Sequence, residues 1–250
     1  MKALVVSDLH YTLNQFDWLV KVAGSFDAVV IAGDLLDIFS IVEPDVQIVV
    51  VTKYLDLIRA KTRLIVCSGN HDGDEKNEAG EFVASWLQRV RAEQLWVDGD
   101  SFRLGKDLVT VCPWWDGEVT RAAMVEQIKA QAAKPRERWI WIHHAPPDEV
   151  PVSWAGKKYG GDKFLNGLIE RFGPDLVFCG HIHNAPFLHP EGSWISPIDR
   201  TWTFNAGRQI GPVPAFIVVD LEANRADYVN MEGPDAAELQ VIGSQNPSIP

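Results

Sequence analysis

Five short polar clusters carry residue types that bind divalent metals, and each cluster follows a run of apolar residues. In chain order they are Asp8-Leu9-His10, Gly33-Asp34-Leu35-Leu36-Asp37, Gly69-Asn70-His71-Asp72, His143-His144 and Gly180-His181-Ile182-His183. Imidazole nitrogens and carboxylate oxygens are common ligands of metals in proteins. Such apolar runs are typical of strands buried on both faces of a sheet, and the carboxyl ends of neighbouring parallel strands meet in one crevice. The sequence therefore predicts that the five clusters converge on one metal site.

The histidines of the chain are concentrated in these clusters. Six of the seven histidines fall within them, and only His189 lies outside. A single histidine is more often an ordinary core or surface residue than a ligand, so the prediction depends on the set as a whole. Asp8 with His10, and His181 with His183, are spaced two residues apart, which places both members of each pair on one face of an extended chain. Each pair can therefore address a single site.

Apolar periodicity predicts strands that alternate with helices over much of the chain. Apolar residues at spacings of three and four indicate helices, and short apolar runs between turn residues indicate strands. The predicted strands are residues 1–7, 28–32, 63–67, 102–104, 108–112, 139–142, 175–179, 201–204, 216–219 and 227–229, and the predicted helices are residues 14–23, 44–60, 81–91, 118–133 and 162–171. This alternation is typical of an α/β protein with parallel strands.

The composition favours one globular domain. Among 250 residues, 46% are hydrophobic and 23% are charged, as in ordinary globular proteins. We expect one domain over residues 1–231 and a C-terminal tail over residues 232–250, whose weak patterning predicts little structure. The formal net charge of −11 argues against a large nucleic-acid surface, because such a surface needs Lys and Arg to replace the counterions of the phosphates.

The apolar stretches and the cysteines point to a cytoplasmic protein. Asp8 interrupts the first apolar run before it reaches the length of a signal-peptide core. No stretch approaches the ~20 apolar residues of a membrane span, so we expect no membrane partner. The three cysteines are far apart within apolar runs, which favours small core residues over a disulfide framework or a cysteine-type zinc site.

The order of the clusters resembles a known family. The sequence is similar to the calcineurin-like metallophosphoesterase superfamily, whose pattern is D-x-H, G-D-x-x-D, G-N-H-D/E, a later histidine and G-H-x-H, in that order. All five blocks are present between Asp8 and His183, and Asn205-Ala206-Gly207 resembles a turn that is common after the last block. The resemblance implies a four-layer α/β/β/α sandwich of two mixed sheets flanked by helices, with the metal site at one edge.

The resemblance also implies two divalent metal ions that share one ligand. Asp34 matches the bridging position, and two metals about 3.5–4 Å apart can clamp a phosphoryl group. The implied ligands that complete the first site are Asp8, His10 and His183, and those that complete the second are Asn70, His143 and His181. This donor set suits Mn, Fe, Zn or Co, so the identity of the metal stays open.

Only one of the two adjacent histidines can be the implied ligand of the second site. We expect this ligand to be His143, because it comes first after the apolar run at residues 139–142, where the ligand of the family usually lies. His144 is then either a residue that supports a ligand or faces the substrate, or an ordinary loop histidine.

Two further residues match the catalytic positions of the family. His71 matches a histidine that is not a ligand and that protonates the leaving oxygen or stabilises the charge there, a task that suits an imidazole titrating near neutrality. Asp37 matches the carboxylate that orients this histidine in one branch of the family. Capping of the following helix is the alternative role for Asp37.

The resemblance implies a hydrolase of phosphoric ester bonds, in which a metal-bridging hydroxide attacks phosphorus and His71 assists the leaving group. We expect phosphodiesters to be preferred over phosphomonoesters, because this histidine is often associated with diesterase activity in the family. The alternative is a non-catalytic metal-binding interaction module on the same fold, although no matched ligand is missing. Protein Ser/Thr phosphatase activity is disfavoured, because Ile38-Phe39 replaces the Arg-Gly of that branch.

The expected partner is a small phosphoester, including nucleotide-like ones. Trp114, Trp115 and Trp154 could stack on a base or an aromatic leaving group, with core packing as the alternative. Arg121 and Lys157 could contact a phosphate or be solvated. The sequence specifies neither the substrate nor the oligomeric state.

Overall fold

The computed structural model describes residues 1–239. The strands are β1 Lys2–Val6, β2 Ala28–Ala32, β3 Arg63–Cys67, β4 Glu75–Lys76, β5 Phe82–Val83, β6 Leu95–Trp96, β7 Ser101–Leu104, β8 Asp107–Val111, β9 Trp139–Ile142, β10 Leu176–Cys179, β11 Ile195–Ile198, β12 Thr201–Asn205, β13 Phe216–Asp220, β14 Arg225–Asn230 and β15 Gly233–Glu238. The helices are α1 Leu13–Val22, α2 Pro44–Arg59, α3 Ser85–Arg89, α4 Glu118–Ala132 and α5 Lys163–Phe172, with short 3₁₀ helices at Ala23–Ser25, Pro151–Ser153 and Ala185–Phe187.

Two mixed sheets form the centre of the protein. The first has seven strands in the order β15-β14-β13-β1-β2-β3-β6, and the second has six in the order β11-β12-β10-β9-β8-β7. In the first sheet β1, β2, β3 and β6 are parallel, and in the second β8, β9, β10 and β12 are parallel. Five of these parallel strands, β1, β2, β3, β9 and β10, carry the polar clusters at their carboxyl ends. Residues that follow β1, β2 and β10 lie within 4.8 Å of one another, so these ends of the two sheets meet at one edge of the protein.

The buried hydrophobic residues form three clusters, one between the two sheets and one beneath the helices on the outer face of each sheet. The layer between the sheets contains Val5, Val30 and Ile65 from the first sheet and Ile142 and Phe178 from the second. Helices α1 and α2 pack on the outer face of the first sheet, and α4 and α5 pack on the outer face of the second. The four-layer α/β/β/α sandwich implied by the sequence is therefore confirmed.

Local sequence explains why the helices begin and end where they do. The side chain of Asp162 accepts hydrogen bonds from the first backbone N–H groups of α5, and Gly173 ends this helix in the left-handed conformation. Helix α2 starts with Pro44 at its first position. It continues through the β-branched residues 48–51, because burial at helical spacing against the sheet outweighs their strand preference.

The structure corrects the helix expected at residues 81–91. Residues 82–83 form β5 instead, and only Ser85–Arg89 is helical. The Glu81 carboxylate accepts hydrogen bonds from the N–H groups of Val119 and Thr120 at the start of α4, and Phe82 N–H donates to Asp116. These long-range bonds hold the segment extended, although its apolar spacing is helical.

The structure also corrects the start of the expected C-terminal tail. Residues 233–238 form β15, which pairs with β14 along its whole length. Trp194 Nε1–H donates to the Asp235 carboxylate and ties β15 to the rest of the domain. Residues 240–250 of the expected tail lie outside the described residues. Within the part of the chain that is described, no helix combines the length and the apolar character needed to cross a membrane.

Candidate metal centre

The loops after β1, β2 and β10 bring four predicted ligands together. Asp8, His10, Asp34 and His183 offer ligand atoms that all lie within 4.8 Å of one another. His183 Nε2 lies 3.3 Å from Asp8 Oδ1 and 3.0 Å from His10 Nε2, and His10 Nε2 lies 3.5 Å from Asp34 Oδ2. This group has the composition that the sequence predicts for the first metal site.

A second group of ligand atoms also approaches Asp34. His144 Nε2 is 3.2 Å from Asp34 Oδ2, and His181 Nδ1 is 2.8 Å from Asn70 Oδ1. The rings of His144 and His181 are 5.3 Å apart between centroids. His10 Nε2 and His144 Nε2 thus both lie close to Asp34 Oδ2, an arrangement in which one carboxylate could serve two sites.

The structure places His144, and not His143, at the predicted second site. The ring of His143 is fully buried against Trp115, with centroids 4.6 Å apart. The cause is the alternation of β9, which continues past its end. Trp139 and Trp141 face the helices, so His143 faces them too, and His144 points to the inner side with the metal centre. The expectation that His143 faces the metal centre is therefore wrong, and the ring beside Asp34 is that of His144.

The backbone of the cluster adopts conformations that favour glycine. Asp8, His10, Asp34 and His181 have φ of 55°, 42°, 54° and 67°, in the left-handed region. Such conformations cost of order 1–3 kcal/mol each and persist where surrounding contacts impose them. Here the loops after β1 and β2 bind each other, because the N–H groups of Asp8 and His10 donate to the carbonyls of Gly33 and Asp34.

Three glycines of the clusters leave room for the ligands. A Cβ at Gly33 would overlap the ring of His144, and a Cβ at Gly69 would overlap the carboxylate of Asp34. A Cβ at Gly180 would lie 2.5 Å from Asp8 Oδ2. Each glycine is therefore required for the close approach of a ligand, which explains why three of the five polar clusters begin with glycine.

We expect Gly69→Ala to disrupt the metal centre. The added methyl group forces Asp34 or its loop to move, so Mn²⁺ affinity should fall about 10–100-fold, as when a residue that supports a ligand is lost. Titration calorimetry measures this loss. Gly167→Ala is the control, since a Cβ there has no heavy atom within 4 Å. It should leave Mn²⁺ affinity unchanged and stabilise α5 by about 0.5–1 kcal/mol. Equal affinities of the two variants would contradict the close contact at Gly69.

Burial and charge give the ligands different proton affinities. Burial lowers the pKa of His10 and of His181 to about 4, so both rings are neutral at pH 7. Burial also disfavours the charged form of His144, but the carboxylates of Asp34 and Asp8 outweigh it and raise the pKa of His144 to about 9. Burial would raise the pKa of Asp34, and the adjacent His144 lowers it instead. The cluster therefore holds a proton on His144 at neutral pH.

Metal binding should accordingly release a proton at neutral pH. A cation binds only the neutral form of His144, so it competes with the proton that this ring holds below pH 9. We expect Mn²⁺ affinity to rise as pH rises from 7 to 9, by up to about tenfold per pH unit, and then to level off. Calorimetry at pH 7 in buffers of different ionisation enthalpy should show release of about one proton. An affinity that does not change over this range would contradict the assignment of His144.

Asp72 supports the loops of the metal centre, a role that the sequence analysis did not predict. Its buried carboxylate accepts hydrogen bonds from the N–H groups of Leu35, Leu36 and Gly69, at 2.9, 2.9 and 2.8 Å. Burial, together with the nearby charge of Asp34, raises the pKa of Asp72 to about 8. The residue ties the loop after β2 to the loop after β3. Its place in the Gly69-Asn70-His71-Asp72 cluster was the available signal.

His71 and Asp37 lie together beside the first site. The backbone N–H of His71 donates to Asp34 Oδ1, and the centroid of the His71 ring is 4.5 Å from that of the His10 ring. Its Nδ1 accepts a hydrogen bond from Ile38 N–H at 3.3 Å and lies 3.8 Å from Asp37 Oδ1. Asp37 is thus close to His71 without a direct hydrogen bond. It does not cap α2, which begins only at Pro44.

The predicted aromatic and basic residues lie at different distances from the centre. Trp114 is partly buried, with its ring 5.4 Å from His181 and 5.8 Å from His144. Trp115 is buried and donates from Nε1 to Asp162, and Trp154 packs on Tyr159. Arg121 stacks on Phe164, and Lys157 is exposed in its loop. Of the three tryptophans, Trp114 is the one beside the ligands.

The donor atoms at the centre fit divalent cations. Within residues 1–239, His144 Nε2 is buried 3.2 Å from Asp34 Oδ2 and makes no hydrogen bond. Buried polar atoms without partners are rare in native proteins and indicate a missing ion or water. Asp8 and Asp34 are buried carboxylates whose nearby partners are histidines. Divalent cations would balance these charges and give His144 Nε2 a partner.

Comparison with known proteins defines the class. Residues 1–185 match the family model of the calcineurin-like phosphoesterases, and the chain belongs to this family. Its fold is similar to that of TT1561 of Thermus thermophilus, with a TM-score of 0.58 and 14% identity over 96% of this chain and 99% of that one. It is also similar to purple acid phosphatase PPD1 from yellow lupin (Lupinus luteus) seeds, with a TM-score of 0.57 and 13% identity over 95% of this chain and 52% of that one. No curated protein sequence matches the chain significantly.

Family membership gives the general activity. The family is metal-dependent, and the protein is in general terms a metal-dependent phosphoesterase with a buried Asp and His cluster that could bind metal. The two solved structures, at 13–14% identity, show the shared fold alone. The number of metal ions, the substrate and the individual roles of the residues go beyond this likeness.

Proposed function

We propose that the protein is a binuclear metallophosphoesterase that hydrolyses small phosphoesters, with phosphodiesters preferred. One observation carries the proposal: His10 Nε2 and His144 Nε2 both approach Asp34 Oδ2, and the buried His144 Nε2 makes no hydrogen bond within the described residues. The ligands of the first cation are Asp8, His10, Asp34 and His183, and those of the second are Asp34, Asn70, His144 and His181. The mixed nitrogen and oxygen donors suit Mn, Fe, Zn or Co.

The residues of the chain prepare the site for phosphoryl transfer. When bound, the cations supply stabilisation of the negative charge on the phosphoryl oxygens. Asp8 and Asp34 hold the histidines in place, and the left-handed loops fix both carboxylates from the backbone. The partly buried ring of Trp114 faces the second site and can pack on a base or an aromatic group of the substrate. Rigid placement of these groups lowers the barrier by holding the substrate in reacting geometry.

His71 is the residue that we assign to the leaving group. Ile38 N–H donates to Nδ1, so the neutral ring carries its proton on Nε2. Burial lowers the pKa of His71, which keeps the ring neutral at pH 7. The Nε2–H of the neutral ring can donate a hydrogen bond that stabilises the negative charge on the leaving oxygen, with the ring keeping its proton. The Asp37 carboxylate lies 3.8 Å from Nδ1, beside the ring. The match of His71 to the family pattern supports the preference for diesters.

Hydrolysis of two chromogenic esters tests the proposal. With Mn²⁺, we expect turnover of bis(p-nitrophenyl) phosphate to exceed turnover of p-nitrophenyl phosphate, and a chelator to abolish both. His71→Ala should lower kcat for the diester by about 10²–10⁴-fold while leaving Mn²⁺ content unchanged. If neither ester is hydrolysed with any of Mn²⁺, Fe²⁺, Zn²⁺ and Co²⁺, the proposal that the protein is an enzyme is contradicted.

The second candidate is a non-catalytic metal-binding interaction module on the same fold. The complete set of ligands and His71 favours the enzyme, because a scaffold has no need of an imidazole that is not a ligand and lies beside the metal site. A module would bind metal without hydrolysing any ester.

We also propose a cytoplasmic location, which the three free and buried cysteines support.

A further inference from the structure

A rigid turn after β12 places Arg208 beside the first metal site. The buried side chain of Asn205 donates to the carbonyls of Val152 and Ile182 and accepts from Gly207 N–H. Arg208 N–H then donates to the carbonyl of His183 at 3.1 Å. Gly207 has φ of 68°, and a Cβ there would lie 2.7 Å from the His183 carbonyl oxygen. The turn therefore fixes the backbone of Arg208 against that of a metal ligand.

The side chain of Arg208 has no partner in the described part of the chain. It is partly buried, and within residues 1–239 it makes no hydrogen bond, ion pair or stacking contact. The protein has 34 Asp and Glu residues against 23 Lys and Arg, so carboxylate partners are plentiful. Other arginines use them: Arg59, Arg89, Arg91, Arg138 and Arg225 all form ion pairs. An unpaired guanidinium at the centre of an acidic protein suggests an anionic ligand.

Arg208 lies at the edge of the centre that His10 and His183 form. Its backbone N–H bonds to the His183 carbonyl, and His183 Nε2 lies 3.0 Å from His10 Nε2. The nearby carboxylates Asp8 and Asp34 face the histidines and the cation sites.

We propose that Arg208 is a positioning residue that binds terminal phosphate oxygens of the substrate at the His10 and His183 edge, and that it allows the site to accept phosphomonoesters as well as diesters. This inference rests on the proposed function. A guanidinium presents paired N–H donors that match two phosphate oxygens. A phosphomonoester has three terminal oxygens and a charge of about −1.5 to −2 at pH 7, whereas a diester has fewer free oxygens and less charge. Arg208 therefore contributes more to binding of the monoester.

The test uses Arg208→Ala and Arg208→Lys in the full Mn²⁺-loaded chain. Arg121→Ala is the matched control, because it removes the same charge from a guanidinium that stacks on Phe164. For each variant, calorimetry gives the Kd of inorganic phosphate, and kinetics give KM and kcat for p-nitrophenyl phosphate and bis(p-nitrophenyl) phosphate. Metal content and Tm are measured on the same samples.

In Arg208→Ala, we expect the Kd of phosphate and the KM of the monoester to rise about tenfold, with the KM of the diester rising about twofold. Values of kcat, Mn²⁺ content and Tm should change little, because the Arg208 side chain makes no hydrogen bond, ion pair or cation–π contact within the described residues. Arg208→Lys should keep part of the affinity for phosphate, because lysine retains the positive charge but lacks the paired N–H donors of a guanidinium. Arg121→Ala should resemble the wild type.

Three results would overturn the inference: unchanged phosphate affinity in Arg208→Ala, the same loss in Arg121→Ala, or a loss that accompanies reduced Mn²⁺ content. Failure of the proposed function has a different signature. The wild type would then hydrolyse neither ester, while the difference in phosphate affinity between the wild type and Arg208→Ala would still report on Arg208.

Discussion

Asp34→Asn should remove both catalysis and tight metal binding. Asp34 Oδ2 lies 3.5 Å from His10 Nε2 and 3.2 Å from His144 Nε2, so one carboxylate serves both groups of ligands. Asparagine has nearly the same shape and can still accept the hydrogen bond from the backbone N–H of His71. It lacks the negative charge that attracts two cations. Loss of a residue that only supports a ligand lowers metal affinity or activity about 10–100-fold. Asp34 is itself the proposed ligand, so we expect metal affinity and activity each to fall more than about 100-fold. Metal analysis after dialysis and hydrolysis of the diester measure the two losses.

Asp17→Asn is the matched control for this substitution. Asp17 is exposed on α1 and accepts a hydrogen bond from the Tyr54 hydroxyl, which an asparagine oxygen can also accept. The control therefore changes the net charge by the same amount on the outer face of the first sheet, and activity should stay within about twofold of the wild type. Retention of two bound ions and full activity in Asp34→Asn would show that the two groups of ligands do not share this carboxylate.

His144→Ala should have a much larger effect on activity than any change at His143. His144 Nε2 faces Asp34, and its Nδ1 lies 2.7 Å from the Ala32 carbonyl oxygen, which orients the ring. Its removal opens the second site, so we expect the bound Mn²⁺ to fall from two ions to one and activity to fall more than about 100-fold. Both quantities are measured on the same purified sample.

His143→Phe should leave the metal centre intact. Within residues 1–239, neither ring nitrogen of His143 makes a hydrogen bond of acceptable geometry, and the ring packs on Trp115. An apolar ring of similar shape fits this environment, so the free energy of unfolding should change by less than about 1–2 kcal/mol. Loss of one metal ion in His143→Phe, with two ions kept in His144→Ala, would reverse the assignment of the two histidines.

The sequence predicted the strands that carry the site with good accuracy. Strands β2 and β3 have the predicted bounds of residues 28–32 and 63–67, because each is an apolar run followed directly by a polar cluster. Buried parallel strands produce this pattern since both faces are covered. The approximate location of the centre followed from the same pattern, and Asp8, His10, Asp34 and His183 do come together.

The features that the sequence did not predict depend on contacts between distant segments. The choice between His143 and His144 depends on which face of β9 points to the other sheet, and in an all-apolar strand both faces look alike. The extended conformation of residues 82–83 depends on the bonds that Glu81 makes with α4. Asp72 gains its role from N–H groups of another loop. No local pattern contains these partners.

Anomalous diffraction from crystals soaked in Mn²⁺ tests the central claim most directly. We predict two peaks per chain, separated by about 3.5–4 Å, with the Asp34 carboxylate between them. The first peak should contact His10 and His183, and the second should contact His144 and His181. A single peak at saturating Mn²⁺, or two peaks that do not share Asp34, would contradict the account.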